Sequence, residues 1–424
     1  MKLSVIISTY NRAPLLRSAL ESLEQQSYDD FEIVVVDGPS TDKTHEILER
    51  YAPRIKLGKY AGRNLSVSRN IGIDLATGDV VAFIDDDSMA DRSWLADLAT
   101  PFADANVGAA GGLVFDRAGR RLQSTFTACD RLGLVREHVA PPFESFWTPD
   151  ADPFLYLQGT NMAFRREILD RIGGFNEEFE YHLDDVEACM RVTDLGLKVL
   201  PLENAIVLHG RAASELRNEH GAWRDVYFLT KNQMLFALRA GRLRHSEASI
   251  EAAIGRYIGW IKDDAAVNLK RGRITQVEYE KLIADIARAD ADARRLAGRP
   301  RPLRKFQPPP SFLKFERQEN SLPRQSFTAP HTAANTGAFD LDRIETLISD
   351  LARRSDRAFL AGIHAIFSEP LPLKARLFAS RRLAEHGGRF AYLKRMIEKY
   401  DRYDELLRPP AAIRLVKIFG APKT

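Results

Sequence analysis

The sequence predicts an α/β fold built on a mostly parallel sheet, with an α-helical region towards the C-terminus. Three observations lead there. Apolar runs at residues 5–8, 31–36 and 80–84 lack polar alternation, as strands buried on both faces do. Stretches with helical spacing separate them, which implies crossovers between parallel neighbours. The run Val80-Val81-Ala82-Phe83-Ile84 then ends in Asp85-Asp86-Asp87. Carboxylates this close repel one another, so a block of them past a buried strand points to something bound there. Ligands of open α/β sheets sit beyond the carboxyl ends of the strands, and a hard divalent cation suits such a block.

Residues 5–8 make the first strand. Pro14 opens a helix, where its missing N–H does no harm, and Leu16, Ala19, Leu20 and Leu23 recur along it at helical spacing. Residues 31–36 make the second strand, followed by a short helix at 43–51. Residues 55–59 are a weaker third strand, 65–76 a helix ended by Gly78, and 80–84 the fourth strand. Residues 116–152, with Pro141-Pro142 and Pro149, are expected to form long irregular loops. Periodicity resumes with a strand at 154–157, helices at 165–171 and 184–195, the second stopped by Gly196, and a last strand at 205–208 ending on His209. From Trp223 the pattern is helical. The expected organisation is a catalytic domain over 1–222, a helical extension packed on it over 223–297, a flexible linker over 298–340 and a helical segment over 341–424. The linker assignment rests on Pro300, Pro302 and Pro308-Pro309-Pro310 with a polar run beyond them, a composition too polar and proline-rich to pack.

The 424 residues suffice for two or three domains, and 45% hydrophobic with 28% charged residues is ordinary globular composition. A net charge of +3 is too small to argue for a nucleic-acid partner. Two cysteines, Cys129 and Cys189, make neither a disulfide framework nor a zinc site. The opening residues lack a signal-peptide pattern, and no run approaches the roughly 20 apolar residues that span a bilayer. The expectation is a cytoplasmic protein, with room for a peripheral contact at the inner face of a membrane.

Four segments carry the chemistry: Ser8-Thr9-Tyr10-Asn11-Arg12, Asp37-Gly38-Pro39-Ser40-Thr41-Asp42, the aspartate triplet, and Asp184-Asp185-Val186-Glu187. Three of them follow strands, whose ends share one edge of a parallel sheet. Together with "SRNIGIDLATGDVVAFIDDDS", "QGTNMAFRRE" and "GGFNE", these strings resemble the family-2 glycosyltransferases, inverting enzymes. Their order and spacing over about residues 1–210 carry the resemblance. The last 180 or so residues lie outside it. It implies the GT-A nucleotide-diphospho-sugar transferase fold, a Rossmann-like mixed, mostly parallel sheet.

The resemblance also implies roles. Asp37 would meet the nucleotide base, accepting from a uracil-type N–H, with Thr9, Asn11, Arg69, Asp85 and Asp86 completing the donor site. Asp42 reads more naturally as a turn or helix N-cap carboxylate. Asp87 and His209 would hold Mn²⁺ or Mg²⁺, which bridges the phosphates and stabilises charge on the departing nucleotide. A helix N-terminal cluster or a calcium loop are the plainer readings of the triplet, although the alternating acids and glycine of an EF-hand are absent. Asp185 would be the general base that takes the acceptor hydroxyl's proton, and Asn161, Asp184 and Glu187 would face or position the acceptor. As ordinary N-terminal acids of a helix, Asp184 and Asp185 would be favoured by the macrodipole alone. Pro39 departs from the family pattern by removing a backbone N–H from the base-binding loop.

The implied function is metal-assisted transfer from a nucleoside-diphosphate sugar, a UDP-sugar foremost, to a hydroxyl of a saccharide or lipid-linked glycan. The alternative is a catalytically degenerate nucleotide-sugar binder or scaffold of polysaccharide assembly. A nucleotidyltransferase would need a glycine-rich basic loop after the first strand. A processive synthase would need membrane helices and a Gln-x-x-Arg-Trp string. The sequence has none of these.

Overall fold

The computed structural model describes residues 1–117, 122–137, 139, 141–210, 216–218, 220–306 and 311–317. The chain divides into two compact units, residues 1–114 with 124–321 and residues 115–123 with 322–424. The fold below is that of the first unit. The segment expected to be helical over 341–424 lies outside the described residues.

The strands are β1 (Leu3–Thr9), β2 (Phe31–Asp37), β3 (Lys56–Lys59), β4 (Val80–Phe83), β5 (Ser88–Ala90), β6 (Val107–Asp116), β7 (Leu122–Ser124), β8 (Thr127–Cys129), β9 (Val135–Arg136), β10 (Phe154–Tyr156), β11 (Met162–Arg165) and β12 (Lys198–His209). The helices are α1 (Ala13–Glu24), α2 (Thr44–Tyr51), α3 (Leu65–Leu75), α4 (Trp94–Ala99), α5 (Arg166–Ile172), α6 (Asp184–Asp194), α7 (Tyr227–Ala240), α8 (Glu247–Lys270) and α9 (Gln276–Ala297).

The main sheet runs β3-β2-β1-β4-β11-β6-β12-β5. β3, β2, β1 and β4 are parallel, whereas β11 is antiparallel to β4 and β6, and β12 is antiparallel to β5. The sheet is therefore mixed, parallel at its N-terminal edge. Its strands alternate between two cores. Leu3, Val5, Ile7, Ile33, Val35, Val80 and Ala82 pack with α1, α2 and α4, while Ile6, Val34, Val36, Val81 and Phe83 pack with α3, α5, α6 and α7. Burial on both faces explains why these runs are mostly apolar. Gly72 of α3 lets the helix lie close over β1, since a Cβ there would stand 2.5 Å from Ile6 Cγ2.

Two expectations change. Residues 116–152 are not loops throughout, because β8 and β9 join β10 in a three-stranded antiparallel sheet. Strands this short carry too few residues for a period-2 pattern to stand out. The described part of the proline-rich segment does pack, although it forms no helix or strand. Phe315 is buried against Phe31 at 5.4 Å between ring centroids, with its N–H donating to Phe31 O. Leu313 N donates to the buried Glu32 carboxylate, and Arg304 pairs with Asp74 and Glu177. Backbone donors and isolated anchors dock this segment, and composition averages do not register them.

Candidate active site

Strand register places the first groups. Thr9 and Asp37 are paired at the carboxyl ends of β1 and β2, and Phe83 of β4 pairs with Ile6, so the triplet emerges beside the end of β1. Thr9 Oγ1 donates to Asp86 Oδ2 at 2.8 Å, and Arg12 donates to Asp86 Oδ1 at 2.9 Å. Burial pushes the Asp86 carboxyl up to about 6, against the pull of Arg12. Arg12 also stands 3.5 Å from Asp87.

Beside this, Ser40 Oγ donates to Asp37 Oδ1 at 2.7 Å and accepts from Asn11 N at 2.9 Å. Asn11 has φ +52° and its Oδ1 accepts from Thr41 N and Asp42 N, so it stitches the two loops together. Asp42 accepts from Ala13 N and Thr44 N, at the starts of α1 and α2. Asp37 is left half-buried at the rim, its pKa raised by desolvation.

Asp85 and Asp87 share His209 as a neighbour, whereas Asp86 takes hydrogen bonds from Thr9 and Arg12. β12 places His209 opposite Ser88 of β5, next to the triplet. His209 Nε2 is 3.3 Å from Asp87 Oδ1 and 3.9 Å from Asp85 Oδ2. One ligand atom from each of the three lies within 4.8 Å of the others. Two carboxylate oxygens and an imidazole nitrogen suit Mn²⁺, and the oxygens suit Mg²⁺. The donor set therefore fits a divalent cation. Burial raises the Asp85 pKa, with Arg69 and His209 opposing.

Arg69 of α3 links this cluster to the acids of α6. It is 4% exposed, so it is not a surface charge. Its guanidinium pairs with Asp184, donates to Gly159 O at 3.2 Å and reaches Asp85 at 3.9 Å. Burial works against its charge, but Asp184, Asp85 and Asp185 more than offset this and raise its pKa. Asp185 accepts from Gly159 N at 2.9 Å and from Val186 N at 2.8 Å. Burial, then the charge of Asp184, pushes it up to about 7. A half-buried carboxylate that titrates near neutrality and carries a fixed orientation is equipped to exchange protons.

Asn161 and Glu187 lie behind these groups. Asn161 is fully buried, accepting from Trp94 Nε1 and donating to Leu113 O and Ala205 O. Glu187 takes two N–H groups of Arg191, with Arg301 at 3.7 Å. Residues that sequence reasoning passed over also stand here. Arg12 lies inside a quoted string, but its partner is 74 positions away. Gly159 contacts both Arg69 and Asp185, and only its place beside Thr160-Asn161 hinted at this.

Residues 4–173 match the family model described as Glycosyl transferase family 2. The O-antigen biosynthesis protein RfbC of Myxococcus xanthus is 30% identical over 226 residues, covering 50% of this chain and 18% of that protein. The GalNAc(5)-diNAcBac-PP-undecaprenol beta-1,3-glucosyltransferase of Campylobacter jejuni is 36% identical over 186 residues, covering 42% of this chain and 56% of that protein. A crystal structure of S. aureus TarS 1-349 in complex with UDP-GlcNAc aligns at TM-score 0.46 and 21% identity, covering 70% of this chain and 83% of that one. The chain thus spans only 18% and 56% of the length of these two curated relatives. Among the described residues no helix is long and apolar enough to cross a membrane.

Proposed function

We propose that this chain, whose residues 4–173 match the Glycosyl transferase family 2 model, moves a sugar from a nucleoside diphosphate, a UDP-sugar, to a hydroxyl of a saccharide or lipid-linked glycan with inversion at the anomeric carbon. The observation that carries the reading is the Arg69 bridge, which sets the Asp85–Asp87–His209 cluster beside Asp184 and Asp185. Phosphate charge belongs beside the cluster and the acceptor beside Asp185, so the bond that breaks lies between them.

In this reading Asp37 accepts from the base N–H, and Thr9, Asn11 and Asp86 shape the ribose side. Asp85, Asp87 and His209 would hold Mn²⁺ or Mg²⁺. Such a cation, when bound, neutralises charge on the diphosphate. Arg69 adds a second positive group that the buried acids keep charged. Asp185 removes the acceptor hydroxyl's proton as that oxygen attacks the anomeric carbon. The bond from that carbon to the phosphate oxygen breaks, and its electron pair leaves with the nucleotide. Gly159 N and Val186 N hold the carboxylate in line, and Asp184, pinned by Arg69, keeps Asp185's proton affinity high. Asn161 and Glu187 act as supports for the loop and helix that carry these groups. The Campylobacter relative's name contains a PP-undecaprenol acceptor, which supports a lipid-linked acceptor class for this chain.

The test is a thermal-shift panel of UDP-, dTDP- and GDP-sugars with Mn²⁺, since a ligand that binds the native state alone raises the melting temperature. UDP-sugars should give the largest shift, and sugar transfer should follow with one of them. No shift with any nucleotide would overturn the proposal. Binding without hydrolysis or transfer would favour a degenerate binder.

A further inference from the structure

The loop between α5 and α6 delivers Asp184 and Asp185, and it ends in an unusual backbone. His182 and Leu183 have φ +76° and +64°, two successive non-glycine residues in the left-handed region. Such conformations persist only where neighbours impose them. Leu183 is also the N-cap of α6, and its side chain makes no capping hydrogen bond. The start of this helix is therefore set from outside.

α3 holds the first part of the loop. Asn64 Nδ2 donates to Glu177 O, Ser66 Oγ to Phe179 O and Leu65 N to Glu180 O. The strained part is held by α7, which follows residues 4–173. Asn232 Nδ2 donates to Tyr181 O at 2.7 Å and to His182 O at 2.9 Å. Lys231 Nζ donates to Glu178 O at 2.6 Å and pairs with the Glu180 carboxylate. Both side chains are buried, at 1% exposure for Lys231 and 0% for Asn232. Buried N–H donors cost stability unless their hydrogen bonds are made, and the Lys231 ammonium and the Asn232 Nδ2 group are both directed onto this loop.

We propose that Asn232, with Lys231 beside it, is a positioning residue: by holding the carbonyls of Tyr181 and His182 it keeps the left-handed pair His182–Leu183 in place and so aims the Asp185 carboxylate. The helix after the family-matched region is then part of the active-site architecture. This inference rests on the reading of Asp185 as general base.

The test uses the full chain as Asn232→Ala, as Asn232→Ala combined with His182→Gly, and as Asp185→Asn. Readouts are amide hydrogen exchange and UDP release from UDP-glucose and UDP-N-acetylglucosamine with Mn²⁺. Residues 181–187 should exchange roughly tenfold faster in Asn232→Ala. The kcat should fall roughly tenfold or more while the donor KM stays within about threefold. Adding His182→Gly should recover part of kcat, because glycine adopts the left-handed region unaided. Unchanged exchange in Asn232→Ala overturns the inference, as does a donor KM that rises in step with the loss of kcat, or no recovery with His182→Gly. If Asn232→Ala does not fold, Lys231→Met, which keeps the buried stem, gives the same two readings over 178–187. Asp185→Asn separates the failures. If it turns over like wild type, the general-base reading fails. If it is inactive while Asn232→Ala behaves as wild type, the positioning role alone fails.

Discussion

His209 Nε2 stands 3.3 Å from Asp87 Oδ1 because β12 runs antiparallel to β5 and sets His209 opposite Ser88. A histidine 122 positions beyond the triplet thereby joins two of its carboxylates in one donor set. Asp87→Ala removes a donor from this set. Nucleotide affinity in the presence of Mn²⁺ should weaken by roughly tenfold or more, about 1.4 kcal/mol. Without metal the loss should be much smaller. Calorimetric titration of UDP with and without Mn²⁺ reads this, and equal losses in both conditions would remove Asp87 from a cation site.

Asp185→Asn should lower kcat by about 10²–10⁴-fold, the usual contribution of a positioned base. UDP affinity should barely change, since neither described hydrogen bond of Asp185 goes to the nucleotide side. Full activity in this variant would end the general-base role.

The raised pKa of Asp185 acts on catalysis and on folding in opposite directions with pH. A base must be ionised, so kcat/KM should rise with pH through about 7 and fall away below it. For folding, the native carboxyl holds its proton up to about 7, against an ordinary 3.8. The native state therefore binds more protons between these values, and stability falls as pH rises through that window. Asp185→Asn lacks this loss. Its melting temperature should exceed wild type at pH 8, with the gap closing towards pH 4. A gap that does not depend on pH would contradict the assignment.

A Cβ at position 159 would stand 2.6 Å from an Arg69 Nη and 3.3 Å from Asp185 Oδ2. Arg69 is buried among acids and has little room to give. Gly159→Ala should therefore displace both groups and cost roughly tenfold or more in kcat. The far-ultraviolet circular dichroism should remain native. Wild-type kcat would show that Arg69 and Asp185 can shift without consequence.

Phe315→Ala should lower stability by up to about 3 kcal/mol, a cost limited because the segment can undock rather than leave a cavity. Amide exchange at 311–317 should quicken. Activity should stay at the wild-type level, since the segment lies against Phe31 and Glu32, at the end of the sheet away from the acids.

Much of this arrangement was legible in the chain. The apolar runs of β1, β2 and β4 and the acids beyond them mark the strand ends, because burial on both faces and repulsion between neighbouring carboxylates are local properties. Asp37 and the triplet could be singled out in this way, and Asp185 through the family resemblance. Arg12, Gly159 and Asn232 could not, because each matters through a partner that folding alone brings near. Asn161 shows the converse. It was legible as a candidate, but its neighbours Trp94, Leu113 and Ala205 occupy its polar atoms.

By itself the sequence determined which residues could bear charge at strand ends, since side-chain type and hydrophobic period are written along the chain. Tertiary structure decided which of those charges meet. Antiparallel register brought His209 to Asp87, and the meeting of α3 with the start of α6 through Arg69 and Asp184 put that arginine between Asp85 and Asp184. Coulombic and hydrogen-bond energies depend on distance in space, and separation along the chain does not encode it.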